Sequence, residues 1–259
     1  YRRWMPINRT GKEQHMKQSM YRILSNEQIA QSIYRMRLGG DISPIAAPGQ
    51  FVNIRIDGLY LRRPISGCDV REDEMTLVYK TVGRGTAKMS EMEAGDELDI
   101  LCGLGNGFDT SRSGKNPLLI GGGVGTPPLY LLCRRLIEEG KTPNVVIGFN
   151  SSRDVILESD FRSLGVNLTV TTADGSAGIR GFVTDALPES YTYFYACGPE
   201  PMLKAVYRST VTDGELSFEE RMGCGFGACV GCTCKTKYGA KRICKDGPVL
   251  TKDEVIFDE

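Results

Sequence analysis

The C-terminal stretch sets the tightest constraint on how this chain can fold. From Gly223 to Cys234 glycine and cysteine dominate, and Cys224, Cys229, Cys232 and Cys244 follow one another as Cys-x4-Cys-x2-Cys-x11-Cys. Too few apolar side chains occur here for an independent hydrophobic core, so something other than burial must organise the segment. The spacing is the plant-type [2Fe–2S] ligand pattern. Thiolates that converge on so small a cluster require a tightly curled chain. Gly223, Gly225, Gly227 and Gly231 permit positive φ and close backbone approach, so that backbone amides can point at the sulfurs. Zinc is the competing reading. Structural zinc sites usually show paired Cys-x2-Cys knuckles, however, and the pair does not repeat here. Cys234 is expected to be a packed thiol, because the spacing favours Cys244 as the fourth ligand.

The other cysteines matter for the same reason. The 259 residues contain nine Cys and one His, His15. A mechanism built on a catalytic histidine is nearly excluded, as is a Cys/His zinc site. No apolar run follows Tyr1-Arg2-Arg3-Trp4, and no stretch reaches the ~18–20 apolar residues that span a bilayer. The expectation is a soluble cytoplasmic protein, whose clustered thiols bind metal or do redox work rather than form bridges. Lys and Arg total 32, as do Asp and Glu. That balance argues against a nucleic-acid binder working through a basic field.

Upstream, the hydrophobic period changes along the chain. Residues 1–20 are polar and aperiodic and read as a tail, disordered or an artefact of the start site. Residues 21–111 read as β structure: Ile29–Leu38, Phe51–Ile56 and Met75–Val82 are strand candidates, separated by turn signals such as Pro48-Gly49, Gly83-Arg84-Gly85 and Ala94-Gly95-Asp96. Short strands without a long helix predict a small antiparallel β-barrel. The polar stretch Ser111–Asn116 is the best boundary. Residues 112–215 then alternate strand and helix. Strands are expected at 117–120, 145–149, 166–171 and 193–197, with helices up to about Glu139, over 154–164 and over 200–210. This predicts a doubly wound parallel sheet. Residues 216–259 form the cluster segment.

Three further motifs carry chemistry. Gly121-Gly122-Gly123-Val124-Gly125-Thr126-Pro127-Pro128 follows an apolar strand and opens a helix. Glycines at such a turn let a pyrophosphate approach backbone amides, and prolines fit the first helical turn. A tight βα turn without a ligand is the alternative. Arg63 in Leu61-Arg62-Arg63-Pro64-Ile65-Ser66 stands before a rigid bend, where it is either a phosphate clamp or a surface charge on an edge strand. Cys197-Gly198-Pro199 ends a late strand, where open α/β sheets hold their ligands. Cys197 either faces a nicotinamide or is simply a buried thiol.

In order along the chain, Arg63–Ser66, Gly121–Gly125 and Cys197-Gly198-Pro199-Glu200-Pro201-Met202 resemble the signatures of the ferredoxin–NAD(P)+ reductase superfamily. Glu220–Cys232 narrows the likeness to the electron transfer subunits of dihydroorotate dehydrogenase B. The resemblance covers nearly everything from residue 21 onward. It implies FAD held by Arg63, Pro64, Ile65 and Ser66, with Arg63 on the phosphates and Ser66 near the isoalloxazine. It implies Val78, Tyr79 and Lys80 lining the same cofactor, and Gly85 and Thr86 gripping the pyrophosphate by amide and hydroxyl. NAD would lie on Gly121, Gly122, Gly123, Gly125 and Thr126, with Cys197, Gly198 and Pro199 near the nicotinamide. Cys224, Cys229, Cys232 and Cys244 would ligate the cluster. The implied partner is a separate FMN-containing catalytic subunit that oxidises dihydroorotate for pyrimidine synthesis, in a heterotetramer of two of each chain. Electrons would pass singly through the cluster to FAD, and then to NAD+.

Three departures from the family wording stand out. The gap before Cys244 is short, Cys102-Gly103 replaces the usual Gly-Pro, and Ser152-Arg153 after the second nucleotide strand suits a 2′-phosphate. Rival readings are the electron-transfer subunit of another complex (anaerobic sulfite reductase, hydrogenase or NADH-dependent ferredoxin:NADP+ oxidoreductase type) and a zinc-binding interaction module.

Overall fold

The computed structural model describes residues 16–257. His15 and most of the expected tail therefore lie outside the described residues.

Six strands close an antiparallel barrel: β1 (Lys17–Ala30), β2 (Ile33–Gly39), β3 (Phe51–Ile54), β4 (Arg63–Arg71), β5 (Glu74–Lys80) and β6 (Glu97–Leu104), in the order β1-β2-β5-β4-β3-β6. Tyr21, Ile23, Met36, Leu38, Met75 and Leu77 fill its interior, all at most 1% exposed. The barrel corrects three expectations. Lys17–Met20 are not tail: they pair with Asp99–Cys102 of β6 and close the barrel, which removes the two unpaired edges an open sheet would leave. The single strand expected over Ile29–Leu38 is the end of one strand and most of the next. Gln31 and Ser32 turn the chain, Ser32 at φ 59°, without the glycine or proline that usually marks such a turn. Gly83-Arg84-Gly85, read as a turn, opens a short helix, α1 (Arg84–Ser90). Thr86 starts it, its hydroxyl accepting from the backbone N–H groups of Val82 and Gly83 at 3.0 and 3.3 Å.

The second half is a sheet of seven strands, six of them in chain order β7 (Leu118–Gly122), β8 (Asn144–Phe149), β9 (Asn167–Thr172), β10 (Ile179–Arg180), β11 (Phe194–Cys197) and β12 (Gly214–Ser217), with the helices α2 (Pro127–Glu138), α3 (Glu158–Ser163) and α4 (Glu200–Ser209) between them. The order β10-β9-β8-β7-β11-β12 is parallel throughout, the expected double winding. Helix α3 is shorter than the expected 154–164. The polar stretch Ser111–Asn116 is pinned rather than loose: Ser113 is fully buried, and its carbonyl accepts from the Thr192 hydroxyl.

Past β12 come the hairpin β13 (Thr233–Thr236) and β14 (Gly239–Arg242), the single turn α5 (Ile243–Asp246), and β15 (Val249–Thr251). Strand β15 returns antiparallel to β12 as the seventh strand of the sheet. The segment expected at 216–259 is thus anchored in the nucleotide sheet at both ends, and a boundary at residue 215 would cut through β12. Barrel and sheet also share a core. Ile33, Cys68 and Val78 pack with Leu129, Tyr130 and Leu132, while Phe51 and Leu104 pack with Cys232, Ile243 and Cys244. Among the described residues no helix is long and apolar enough to cross a membrane.

Candidate functional site

The structure brings the four proposed cluster cysteines together as two pairs. Cys224 Sγ and Cys229 Sγ are 3.4 Å apart, and Cys232 Sγ and Cys244 Sγ 3.2 Å. Their surroundings differ. Burial alone would raise the Cys224 thiol, but the N–H groups of Cys229, Phe226 and Ala228, with the Cys229 thiol, hold it down to about 6. Cys244 is pushed up to about 12 by burial and by Cys232, against a hydrogen bond from the Gly227 amide. Loop amides therefore do aim at the sulfurs. Of the four glycines, only Gly225 and Gly227 adopt positive φ, 77° and 87°. Among the described residues no group of three or more His, Cys, Asp and Glu side chains surrounds a single ion position. A donor set split into pairs does not match tetrahedral zinc, which needs four ligands about one centre. It fits a two-iron cluster held by four thiolates. Cys234 is a half-buried free thiol.

The cluster loop is fastened to the barrel by residues that the motif reading missed. Asn53 on β3 is buried, and its Nδ2 donates to the Cys224 carbonyl at 3.2 Å. A Cβ on Gly225 would stand 2.3 Å from that nitrogen. Asn106 Nδ2 donates to the Asp246 and Val249 carbonyls at 3.1 and 2.9 Å, and its Oδ1 accepts from the Val249 amide at 3.0 Å. Both asparagines lie in stretches that follow or border the family's wording, Pro48–Asn53 and Cys102–Phe108, but nothing in those stretches announces a bond to the cluster segment. Asn53 is a polar residue within an apolar strand, and Asn106 follows the end of β6.

Asn53 also leads to the second motif, since it pairs directly with Pro64 on β4. The register Gly67↔Leu77 then places the start of β4 beside the end of β5, so Arg63–Ser66 and Val78–Lys80 share one end of the barrel. The two neighbouring arginines divide their roles. Arg62 is bound to Asp99 at 3.1 Å and to the Asn53 carbonyl. Arg63 forms no ion pair among the described residues, and its Nη1 donates to the Leu61 carbonyl. Its guanidinium lies over Gly85, where a Cβ would come within 2.0 Å of Nε. A side chain at position 85 would have to displace the guanidinium, and the first turn of α1 faces a cation that forms no ion pair among the described residues. Pro64 is exposed, and Ile65 and Ser66 are half-buried.

Two expected contacts change. Tyr79 turns into the barrel, where its hydroxyl donates to Asn26 Oδ1 at 3.0 Å. Its side chain cannot line an external cofactor. Val78 is buried as well, packed with Leu129 and Tyr130, so of the three only the Lys80 side chain is exposed. The Thr86 hydroxyl is taken up by the start of α1, where it also donates to the Gly83 carbonyl at 3.2 Å.

The third motif meets the fourth backbone to backbone. The turn Gly123–Gly125 packs against β5 and leads into α2. A Cβ on Gly125 would stand 2.5 Å from the Cys197 carbonyl oxygen, and one on Gly122 would stand 2.3 Å from Met202 Sδ. One on Gly198 would stand 2.6 Å from Met202 Cε. Thr126 is fully buried, and its Oγ1 has no hydrogen-bond partner within the described chain. Pro127 and Pro128 carry no N–H, so a bound phosphate must draw on amides of the glycine turn rather than on those of the first helical turn. Cys197 is pushed up to about 12 by burial, against a hydrogen bond with Ser217, and is therefore a neutral thiol. A separate cavity of about 250 Å³, lined by Arg35, Arg37, Asp69, Arg71, Tyr130 and Asp160 among others, holds none of the expected site residues.

Comparison with known proteins matches these parts. A model of the iron-sulfur cluster binding domain of dihydroorotate dehydrogenase B covers residues 219–256, and the oxidoreductase NAD-binding domain model covers residues 119–208. Over 258 residues the chain is 41% identical to the dihydroorotate dehydrogenase B (NAD(+)) electron transfer subunit of Geobacillus sp. (strain WCH70), spanning 93% of this chain and 100% of that protein. This chain belongs to the dihydroorotate dehydrogenase B electron transfer subunit family. The family member of Fusobacterium nucleatum subsp. nucleatum is also 41% identical, over 89% of this chain and 95% of its own. A solved NADH-dependent reduced ferredoxin-NADP oxidoreductase structure is 31% identical with TM-score 0.84, covering 92% of this chain and 90% of that one. A Neisseria gonorrhoeae ferredoxin NADP+ reductase with bound FAD and NADP shares the fold at 17% identity, TM-score 0.66, covering 74% and 90%. In this family member the matched cluster domain contains all four paired cysteines. The matched NAD-binding domain contains both glycine loops.

Proposed function

We propose that this dihydroorotate dehydrogenase B subunit relays electrons from the FMN of a separate dihydroorotate-oxidising subunit to NAD+. Cys224, Cys229, Cys232 and Cys244 hold the [2Fe–2S] cluster. Arg63, Pro64, Ile65 and Ser66, with Val78, Lys80 and the backbone at Gly85 and Thr86, hold FAD. Gly121–Gly123, Gly125, Thr126, Cys197, Gly198 and Pro199 receive the dinucleotide. Bound flavin supplies the conversion between one-electron and two-electron chemistry that a cluster and a nicotinamide require.

The observation that carries this reading is the unbroken line of contacts from the Cys224 backbone through Asn53 to Pro64, and across β4 and β5 to the Gly123–Gly125 turn. Adjacent strands lie about 4.8 Å apart, so the cluster loop and the Arg63–Ser66 segment are near neighbours. The residues along this line orient and insulate. Asn53 holds the loop, Arg63 offers an uncompensated cation to phosphate, and Gly122 and Gly125 let two loops close on each other. None moves a proton, in keeping with the absence of histidine from the described residues. The assembly is two of each chain, and its compartment is the cytoplasm.

Co-expression with the catalytic subunit provides the test. Dihydroorotate-dependent NADH formation should appear in the complex and vanish in Cys229→Ser. Activity that persists in that variant, or a failure of the two chains to associate, would sink the assignment.

A further inference from the structure

The cavity of about 250 Å³ lies at the seam between the barrel and the nucleotide sheet. Its floor is the outer face of three barrel strands. Arg37 of β2 pairs with Thr76 of β5, and Thr76 pairs with Asp69 of β4, so the three stand in one row. Arg71 follows two residues after Asp69 on the same face of β4. Tyr130 of α2 and Asp160 of α3 close the cavity from the other side of the seam. Asp69 is six residues along β4 from Arg63, about 20 Å at ~3.4 Å per residue. The cavity therefore stands at the far end of the barrel from the segment assigned to FAD.

The acids and the cations of this lining are engaged to different degrees. Asp69 is buried, and both its oxygens are taken: Oδ1 accepts from the Val70 amide at 3.0 Å and from Arg134 Nη1, and Oδ2 accepts from Arg71 Nε at 2.9 Å. The deepest carboxylate is thus unavailable to a cation. Asp160 Oδ2 accepts from Arg35 Nη2 at 2.7 Å, and the half-buried Glu74 accepts from Arg37 Nη2 at 2.5 Å. Arg35, Arg37 and Arg71 each give their carboxylate one nitrogen, and a guanidinium carries several further N–H donors. Arg35 Nε is buried with no hydrogen-bond partner among the described residues, and a buried donor calls for an acceptor. Strands β2 and β4 both border β5, so the backbones that carry Arg37 and Arg71 run about 10 Å apart. Two arginine side chains close that span from either side.

We propose that this cavity binds a small phosphate-bearing anion, gripped by Arg37 and Arg71 with Arg35 beside them on β2. A guanidinium fork suits phosphate oxygens by geometry as well as charge. At about 250 Å³ the cavity is smaller than most ligand pockets. It admits a phosphoryl group with a small organic body and excludes a dinucleotide. Glu74 is the carboxylate with which the ligand competes for Arg37. The bound anion bridges the barrel strands and the helices α2 and α3, across a seam already crossed by the Arg35–Asp160 and Arg134–Asp69 pairs. It braces the two halves of the chain against each other.

Isothermal titration of the full chain at low salt is the test, with FAD and NAD+ present at saturation so that other phosphate-binding loops are filled. The probes are inorganic phosphate and ribose 5-phosphate, and at least one should bind saturably at a single site per chain. Tighter binding of ribose 5-phosphate assigns the site to a phosphorylated metabolite, and equal or tighter binding of inorganic phosphate assigns it to the free ion. Arg37→Ala and Arg71→Ala should each weaken binding tenfold or more. Glu74→Gln should tighten it, because the competing carboxylate is gone; a purely structural role for these ion pairs yields no such gain. Arg162→Ala, on the exposed side of α3, should leave it unchanged. If neither probe binds saturably, or if binding survives replacement of Arg37 and Arg71 together, the site is overturned.

Discussion

The nucleotide sheet and the cluster segment are joined through strands β12 and β15, yet different physics holds each together. In the sheet, Leu118, Leu119, Ile120, Ile147, Phe194 and Tyr195 are all fully buried. At roughly 1.5–3 kcal/mol for each large apolar side chain buried, such a core needs no ligand. Between residues 219 and 247 the only buried apolar side chains are Cys232, Ile243 and Cys244, and two of those are proposed ligands. The segment is fastened instead by the strands at its ends, by two asparagines and by its thiols. A fold region without a core has to borrow one, and here the cluster supplies it.

The sharpest way to break this contrast is to remove the cluster alone. Cys229→Ser should abolish bound iron and strip hydrogen-exchange protection from residues 219–247, while β7, β8 and β11 keep theirs. Equal loss in both regions would mean that the sheet depends on the cluster too. The next largest effect is expected in the sheet. Gly125→Val would drive a side chain into the Cys197 carbonyl, an overpacking that costs about 1–3 kcal/mol. Dinucleotide affinity should fall tenfold or more with the cluster spectrum intact. Asn106→Ala leaves the Val249 amide and two carbonyls unpaired, and should cost about 1–3 kcal/mol. The loss should be seen as faster exchange around α5 and β15 with little change in the barrel. Asn53→Ala should retain the cluster but slow reduction of the flavin by the catalytic subunit, which stopped-flow absorbance would resolve.

The smallest effect comes from pH. Cys133 and Cys197 are pushed from 9 up to about 12 by burial, and Cys102 up to about 11. The folded state keeps these protons where the unfolded chain has lost them. Their contribution is therefore complete below pH 9 and declines as pH rises toward 12. Denaturant midpoints should be level from pH 7 to 8.5 and fall above 9. A midpoint that rises over that range would show the thiols to be stabilised as thiolates.

The same contrast explains what could be read from the sequence. The cluster cysteines stand out because their chemistry requires fixed spacing, and the glycine turn stands out because a backbone approach tolerates no side chain. Strand and helix alternation after residue 117 is legible because each element buries one face. What escaped notice depends on partners distant in sequence. Lys17–Met20 look polar and aperiodic because strand pairing with β6, not side-chain burial, recruits them. Ser32 turns a hairpin with no glycine to announce it. Tyr79 sits in a strand whose alternation shows that it is buried but not on which side of the barrel wall. Asn53 and Asn106 reach carbonyls 171 and 143 residues away, and no local pattern encodes such a bond. Arg62 and Arg63 are chemically identical neighbours, separated only by the position of Asp99.

Iron and acid-labile sulfide, measured together on the full chain purified without oxygen, test the central claim most directly. A two-iron cluster on two thiol pairs predicts equal amounts of iron and sulfide, at about two of each per chain, both lost in Cys229→Ser. A chain that holds one zinc and no sulfide, with the fold of residues 219–256 intact, would contradict the account.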